Sequence, residues 1–362
     1  MQKSYTIKIY NLAGTYLKTQ NPITITKDVR FSSTMNGGQG QCVIELGLKI
    51  DDFDEGNTID HMRFVRIYEQ DDVNSQTPRL IYTGFVSQYV PFFRNGTEGV
   101  RLVLLGLVSL LSRSYYKNGT NFTVSAAGVD PAQVMKNIID HFNSVYGGAW
   151  IGYGGGNVAT VGTSVTYDFV EMKWLDALKK AHELAGSDRW WAIREDGQLW
   201  FKAKPGTPTH RFTLGHDVES GEVVKNNEQI INKYQLRWGG GPTVTNYSDS
   251  TSISTYGTRE RVESDPSIGD LTTANQKGDQ TIQDNKNPKV QAKLRINARY
   301  DIETIKPGDT CSVLNNKNGT TLFPANMQIT AVNYSPDGVD IDLENTRTTF
   351  AQNFAAAVEE LA

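Results

Sequence analysis

Cysteine is nearly absent: Cys42 and Cys311 are the only two in 362 residues. That excludes a disulfide framework and makes a reducing compartment of synthesis the default. Histidine is scarce too, with five in the chain, which leaves little for a zinc centre. No apolar run approaches the roughly 20 residues that span a bilayer. The longest, VRLVLLGLVSLLS, is short and interrupted by Gly106, so no membrane anchor is expected. The opening MQKSYTIKIYN alternates as a strand does and lacks the apolar region of a signal peptide. Neither sign of charge dominates: 36 Lys and Arg against 40 Asp and Glu give a net charge of −4. Scattered cations in a mildly acidic chain do not make a dedicated nucleic-acid clamp.

Glycine (33 residues) and aromatics (10%) are plentiful, a balance that favours strands and tight turns. The length suits two or three domains, and the chain reads as mainly β with an α+β insertion. Residues 1–112 are expected to form a first small β-barrel. Alternating runs such as RFVRIYEQ, RLIYTGFVSQYV and GVRLVLLGLVSLL follow at the intervals of an antiparallel meander. In RFVRIYE, Phe64, Arg66 and Tyr68 point one way, and Val65, Ile67 and Glu69 the other. Closing such short strands into a barrel hides their edges.

Residues 113–205 read as an α+β middle domain. Asp130-Pro131 starts a helix, with Asp as cap and Pro at the first helical position. Val134, Ile138, Ile139 and Phe142 line one of its faces. A second helix over 172–185 buries Leu175, Leu178 and Leu184, with Gly186 placed to end it. RWWAIREDGQLWFKAKP then reads as a hairpin, with Asp196-Gly197 as a two-residue turn. Residues 206–241 and 289–345 read as a second β-barrel. The polar stretch 242–288 interrupts it, is associated with the middle domain, and holds a short helix near 271–282 that Gly278 weakens. The Ala-rich tail, 346–362, reads as a C-terminal helix.

Motifs that would carry chemistry fail on spacing. AHELAG supplies His182-Glu183 but has Gly186 where a zincin needs its second His. No G-x-S-x-G and no P-loop sequence occurs. GYGGGNVATVG is followed by β-branched residues, not an apolar helix, and reads as a loop. DDFDEGNTID puts Phe53 where a calcium loop needs its third ligand, so a solvated acidic loop is the better reading. Asp340, Asp342 and Glu344 alternate with Val339, Ile341 and Leu343, which places three carboxylates on one face of a strand. A carboxylate pair serves a glycosidase, but same-face neighbours on one strand more often make a hydrated surface. IETIKPGDTCSV has Ile302 and Thr304 on one strand, a turn at Pro307-Gly308, and Thr310, Ser312 and Leu314 on the next strand. No catalytic, cofactor-binding or metal-ligating residue is nominated, and no cofactor is expected.

Three segments, in order, resemble the tail hub family of bacteriophages, which includes baseplate hubs, tail-tip hubs and the hub part of type VI secretion spikes. They are VRIYEQ…RLIYTGFVSQYV…VRLVLLGLVSLLSRS, then MKWLDALKKAHELAGSDRWWAIREDGQLWFKAKP, then INARYDIETIKPGDTCSV with MQITAVNYSPDGVDIDLEN. The resemblance implies a structural virion protein of the tail, made in the host cytoplasm and not an enzyme. It also implies two related tube-like barrels per chain and a homotrimer. Three chains then present six similar units, which mate with a sixfold tail-tube ring. The implied partners are the tail tube protein, a distal tail, tip or spike protein, and the tape measure protein. DNA would pass through the channel during genome ejection without sequence-specific binding. Asp340, Asp342 and Glu344 are candidates to face that lumen and make it electronegative. Two other readings compete. One is a carbohydrate-binding tail module that stacks sugars on Trp150, Tyr153, Trp190, Trp191 and Trp200; the other is a cell-wall-degrading tail enzyme.

Overall fold

The computed structural model describes residues 3–11, 14–20, 29–47, 62–71, 77–94, 96–186, 189–226, 228–240, 243–314 and 327–345. The expected C-terminal helix, 346–362, and the acidic loop, 51–60, lie outside the described residues.

Seven strands form the first part: β1 (Lys3–Tyr10), β2 (Tyr16–Gln20), β3 (Arg30–Thr34), β4 (Gly37–Leu46), β5 (Phe64–Asp71), β6 (Arg79–Arg94) and β7 (Thr97–Gly106). The alternation in the sequence is the alternation of burial. Val65, Ile67 and Glu69 are buried, while Phe64, Arg66 and Tyr68 lie on the half-exposed face. Six strands of the last part are β12 (His210–Thr213), β13 (Val218–Asn226), β17 (Lys289–Asn297), β18 (Thr310–Leu314), β19 (Met327–Ser335) and β20 (Gly338–Asn345).

The expectation of two separate closed barrels is not met. Among the described residues no sheet closes on itself. One continuous path runs β13-β17-β20-β19-β3-β4-β7-β6-β5-β1-β2. The reason is the edge of β3, which pairs antiparallel with β19 from the other end of the chain, Phe31 opposite Tyr334 and Thr34 opposite Ala331. An edge that a barrel would close within its own half is thus spent on joining the halves. One apolar core spans both, from Ile7, Ile44 and Leu102 to Leu294, Val332 and Ile341.

Between them lie β8 (Thr123–Val129), α1 (Pro131–Tyr146), β9 (Val165–Val170), α2 (Trp174–Glu183), β10 (Arg189–Ile193) and β11 (Leu199–Ala203). Asp130 caps α1 through the Ala132 amide at 2.8 Å, and its other oxygen takes the amides of Val161 and Gly162. It therefore fixes the helix start and the loop above it together. Gly147, at φ 69°, ends the helix. The turn between β10 and β11 differs from the two-residue reading. Gly197 donates to the Arg194 carbonyl at 3.0 Å, so Glu195 and Asp196 occupy the centre of the turn. Gly197 follows at φ 72°. A two-residue I′ turn needs positive φ at both of its central residues, and Asp196 is not among the positive-φ residues.

The stretch 242–288 is far more ordered than its polarity suggests. β14 (Lys233–Trp238), β15 (Thr243–Ser248) and β16 (Glu260–Ser264) make a three-stranded sheet, with α3 (Ser250–Tyr256) and α4 (Leu271–Asn285). Asp249 and Asp270 cap the two helices. Gly278 sits mid-helix because Tyr247 lies flat against it: a Cβ there would come within 2.2 Å of the ring. Tyr234, Leu236, Tyr247 and Ile282 join the apolar cluster that also holds Phe142, Trp174 and Trp191.

Candidate functional site: a duplicated sheet and its seam

The two halves of the large sheet repeat one arrangement. In the first half the spatial order is β3-β4-β7-β6-β5; in the second it is β13-β17-β20-β19-β18. Every adjacent pair in both series is antiparallel. In each, a pair of strands is followed by a three-stranded meander whose last strand returns beside the pair. A bulge recurs at the same place, between Val86 and Gln88 on β6 and between Ile329 and Ala331 on β19. Aligning the bulges sets Leu104 on Leu343 and Cys42 on Ala292. The core then agrees position by position: Cys42, Ile44 and Leu46 match Ala292, Leu294 and Ile296, and all six are buried. Val100, Leu102 and Leu104 match Val339, Ile341 and Leu343 in the same way. The halves differ beyond β5 and β18, where β1 pairs antiparallel but β12 pairs parallel. They differ also in their inserts: where the first half turns in two residues between β3 and β4, the second carries the whole β14–α4 unit between β13 and β17.

The seam has a polar lock in its core. The Tyr334 hydroxyl donates to the Glu69 carboxylate at 2.6 Å, and the Tyr5 hydroxyl, 3.0 Å away, donates to the Tyr334 oxygen. Burial, reinforced by the Glu69 charge, pushes both phenols above their ordinary range. Three side chains from β1, β5 and β19 thus specify how the halves meet.

The Pro307-Gly308 corner is where the last part meets the middle. Asp309 donates its amide to the Lys306 carbonyl at 3.2 Å, closing a turn with Pro307 and Gly308 at its centre. The residues before it, Ile302–Thr304, form a 3-10 turn where the sequence suggested a strand. Gly308 has φ 90°, and a Cβ on it would fall 2.5 Å from the Trp190 ring. Arg194 donates to the Pro307 carbonyl and to Asp309, at 3.1 and 3.0 Å, and Lys306 pairs with Glu195 at 3.1 Å. His210 bridges Tyr300 and Asp309. The two turns noticed in the sequence are therefore docked on each other. On the hairpin side, Asp196 accepts from the Gln198 amide and the Trp200 indole, at 2.8 and 3.2 Å. Burial still raises its pKa, since it outweighs those bonds.

Asp340, Asp342 and Glu344 lie on one face of β20, opposite to the buried Val339, Ile341 and Leu343. They do not stand as an isolated negative strip. Arg295 pairs with Asp340 at 3.1 Å, Lys289 with Glu344 at 3.3 Å, and Lys293 is the register partner of Asp342. The equivalent position in the first half carries the same ion pair with its signs exchanged: Glu45 on β4 and Arg101 on β7, 2.6 Å apart. This face of the duplicated sheet is charge-paired.

A second charged group is buried. Lys277 of α4 is 1% exposed and meets Glu263 at 2.6 Å, Asp265 at 2.8 Å and Glu183 at 3.3 Å. Lys180 reaches Asp265 and Glu183 from α2. Burial works against the Lys277 ammonium, but the three carboxylates more than offset it and its pKa is raised. Nothing in the sequence patterning singled this cluster out; its members run from Lys180 to Lys277 and meet only because β16 and α4 fold onto α2.

Three of the five aromatic residues proposed for sugar stacking, Trp150, Trp190 and Trp191, serve the interior, while Tyr153 and Trp200 are half-buried. Trp190 and Trp191 are 3% and 0% exposed, and Trp150 is buried against Phe64 with ring centroids 4.0 Å apart. Arg194 and Lys202 lie against the Trp200 ring. His182 donates through Nε2 to the Arg189 carbonyl at 2.9 Å, and burial lowers its pKa. Among the described residues no three His, Cys, Asp or Glu side chains gather as metal ligands, and no helix is long and apolar enough to cross a membrane.

The fold is similar to that of tail proteins of known structure. The chain is similar to the 43 kDa tail protein of prophage MuSo2 from Shewanella oneidensis, at 13% identity and a TM-score of 0.63, over 94% of this chain and 98% of that one. It is similar to a tail protein from Neisseria meningitidis MC58, at 11% identity and a TM-score of 0.63, over 94% and 96%. Prophage tail protein gp18 from Listeria monocytogenes EGD-e matches at 10% identity and a TM-score of 0.58, over 98% and 99%. No protein-family model and no curated protein sequence matches the chain.

Proposed function

We propose that this protein is a structural hub of a phage tail, a non-enzymatic adaptor between the tail tube and the tip or spike. Each half of the large sheet acts as one tube-like unit, so a homotrimer offers six quasi-equivalent units to a sixfold tube ring. The observation that carries this reading is the repeated strand order, β3-β4-β7-β6-β5 and β13-β17-β20-β19-β18, in a single chain. The charge-paired face bearing Asp340, Asp342 and Glu344 lines the channel, and DNA passes it because the cations there are already neutralised by neighbouring carboxylates. The tape measure protein occupies the same channel before ejection. The six elements between the halves, β8 to β11 with α1 and α2, together with the β14–α4 insert, form the outward side of the ring.

The test is the mass and shape of the purified protein. A particle three times the 40.2 kDa chain mass, seen end-on as a ring with a central hole, is the expected result. A particle that stays monomeric at every concentration, alone and with tube protein, would remove the reading.

A further inference from the structure

A cleft of about 300 Å³ opens where the half-exposed face of β5 meets the middle region. Phe64 and Arg66 line one side, Trp150 in the loop after α1 a second, and Asp196 and Gln198 of the β10–β11 turn a third. That size, with apolar walls and a few polar groups, is typical of small-molecule sites. The joint to the Pro307-Gly308 corner uses Arg194 and Glu195 of the same turn and leaves Asp196 and Gln198 to the cleft.

Two donors here lack a protein acceptor. Trp150 is 7% exposed, yet its indole N–H is buried without a partner. Gly148 also lines the cleft, and a Cβ on it would lie 3.0 Å from the indole nitrogen, so glycine keeps that approach open. A buried donor left unpaired is costly, and an acceptor on a ligand removes the cost. Among the described residues Arg66 has no carboxylate partner; its guanidinium rests over the Tyr10 ring, 5.2 Å from the centroid. Lys8, its register partner on β1, has none either and lies 4.8 Å from the Tyr68 ring. The uncompensated charge on this side is therefore positive. Asp196 is already held by one donor on each oxygen, the Gln198 amide and the Trp200 indole. Each of those oxygens can accept one more hydrogen bond. Gln198 commits its side-chain oxygen to the Gly154 amide at 3.0 Å, which leaves its NH2 group to donate.

We propose that this cleft binds a sugar acid, a hydroxylated ring that carries one carboxylate. Arg66 takes the carboxylate through its N–H groups. The Trp150 indole and the Gln198 NH2 donate to ring or hydroxyl oxygens, and Asp196 accepts from hydroxyls. Phe64 and Leu107 supply the apolar contact for ring carbons. A neutral sugar leaves Arg66 unpaired, and a phosphate brings a second negative charge toward Asp196. Stacking of sugars on tryptophan needs open ring faces, which Trp150 lacks; here only its indole edge takes part. Every lining residue belongs to one chain, so the inference stands apart from the hub reading.

Titration of the purified full chain with glucuronate and galacturonate, read by ligand-observed NMR, tests this. A single ring has few atoms, so millimolar binding of at least one of the two is expected. Glucose and galactose should bind about tenfold more weakly, the effect of one lost bond to a charged group. Arg66→Gln should erase the preference for the acid, and Arg66→Lys should keep part of it. Trp150→Phe, which keeps a ring and deletes the N–H, should weaken acid and neutral sugar by the same factor. Binding of neither acid by the folded wild type overturns the site. Equal binding of acid and neutral sugar, or tighter binding of glucose 6-phosphate than of glucuronate, overturns the carboxylate assignment. A preference for the acid that survives Arg66→Gln overturns the role of Arg66.

Discussion

At Gly308 two demands fall on one atom position. The backbone is left-handed, at φ 90°, and the Trp190 ring occupies the space a Cβ would take. Gly308→Ala is therefore expected to destabilise the protein by about 2–4 kcal/mol, the sum of backbone strain and overpacking, read from the denaturant midpoint. Lys277 makes a different kind of demand. Removing its ammonium leaves Asp265 and Glu263 facing each other in a largely buried site, and Lys277→Met is expected to cost about 3 kcal/mol. The pH dependence follows from the carboxylates. Burial alone would raise Asp265 and Glu263, but hydrogen bonds and charge from Lys277, helped by Lys180 at Asp265, hold both below the ordinary carboxylate range. Groups depressed in the folded state stabilise it above their unfolded pKa, and that stability is lost as pH falls through the folded value. Thermal melts should therefore show a drop in Tm below about pH 4 in the wild type. Lys277→Met should show a shallower one, and equal slopes would mean the cluster does not govern acid stability.

Between elements, the lock of Tyr5, Tyr334 and Glu69 decides how the halves meet. Tyr334→Phe keeps the ring stacked on Phe31, whose centroid is 4.9 Å away, and deletes the hydroxyl's bonds to Glu69 and Tyr5. A hydrogen bond to a charged group contributes about 1.5–3 kcal/mol, so a loss of that size is expected at the denaturant midpoint. Tyr5→Phe, which leaves the Tyr334–Glu69 bond in place, should cost less. If the two variants cost the same, the carboxylate is not the centre of the lock. The β10–β11 hairpin has a parallel role. Its Arg194 holds the Pro307-Gly308 corner, and the parallel pairing of Ala192 and Ile193 with Gly37 and Gly38 ties it to the first half as well. One hairpin of the middle region thus touches both repeats.

For the whole molecule, the consequence of the charge-paired face is weak interaction with DNA. The wild-type protein is expected to show no retention of double-stranded DNA at physiological salt. Replacing Asp340, Asp342 and Glu344 together by Lys leaves Arg295, Lys293 and Lys289 without their carboxylates and should convert the strip to a DNA-binding surface. Its affinity should fall steeply with added salt, as counterion release requires. Retention by the triple variant that did not respond to salt would count against an electrostatic origin. Incubation with peptidoglycan should release no soluble fragments; release would favour the wall-degrading reading over the adaptor.

What the sequence by itself determined was local. Alternating burial on β5 and β20, the Asp130-Pro131 helix start and the Pro307-Gly308 corner were all legible, because each depends on neighbours within a few residues. The three carboxylates of β20 were legible as a face, but their partners on β17 were not, since cross-strand register is not written in either strand alone. The ordered β14–α4 unit was hidden by its polarity: Gly278 reads as a helix weakness until Tyr247 is seen against it. Tertiary structure alone decided that β3 leaves its own half to pair with β19. That choice joins positions some 300 residues apart through edge hydrogen bonds and a shared core. Backbone edges are chemically alike in every strand, so only the packing of the folded halves selects which two meet.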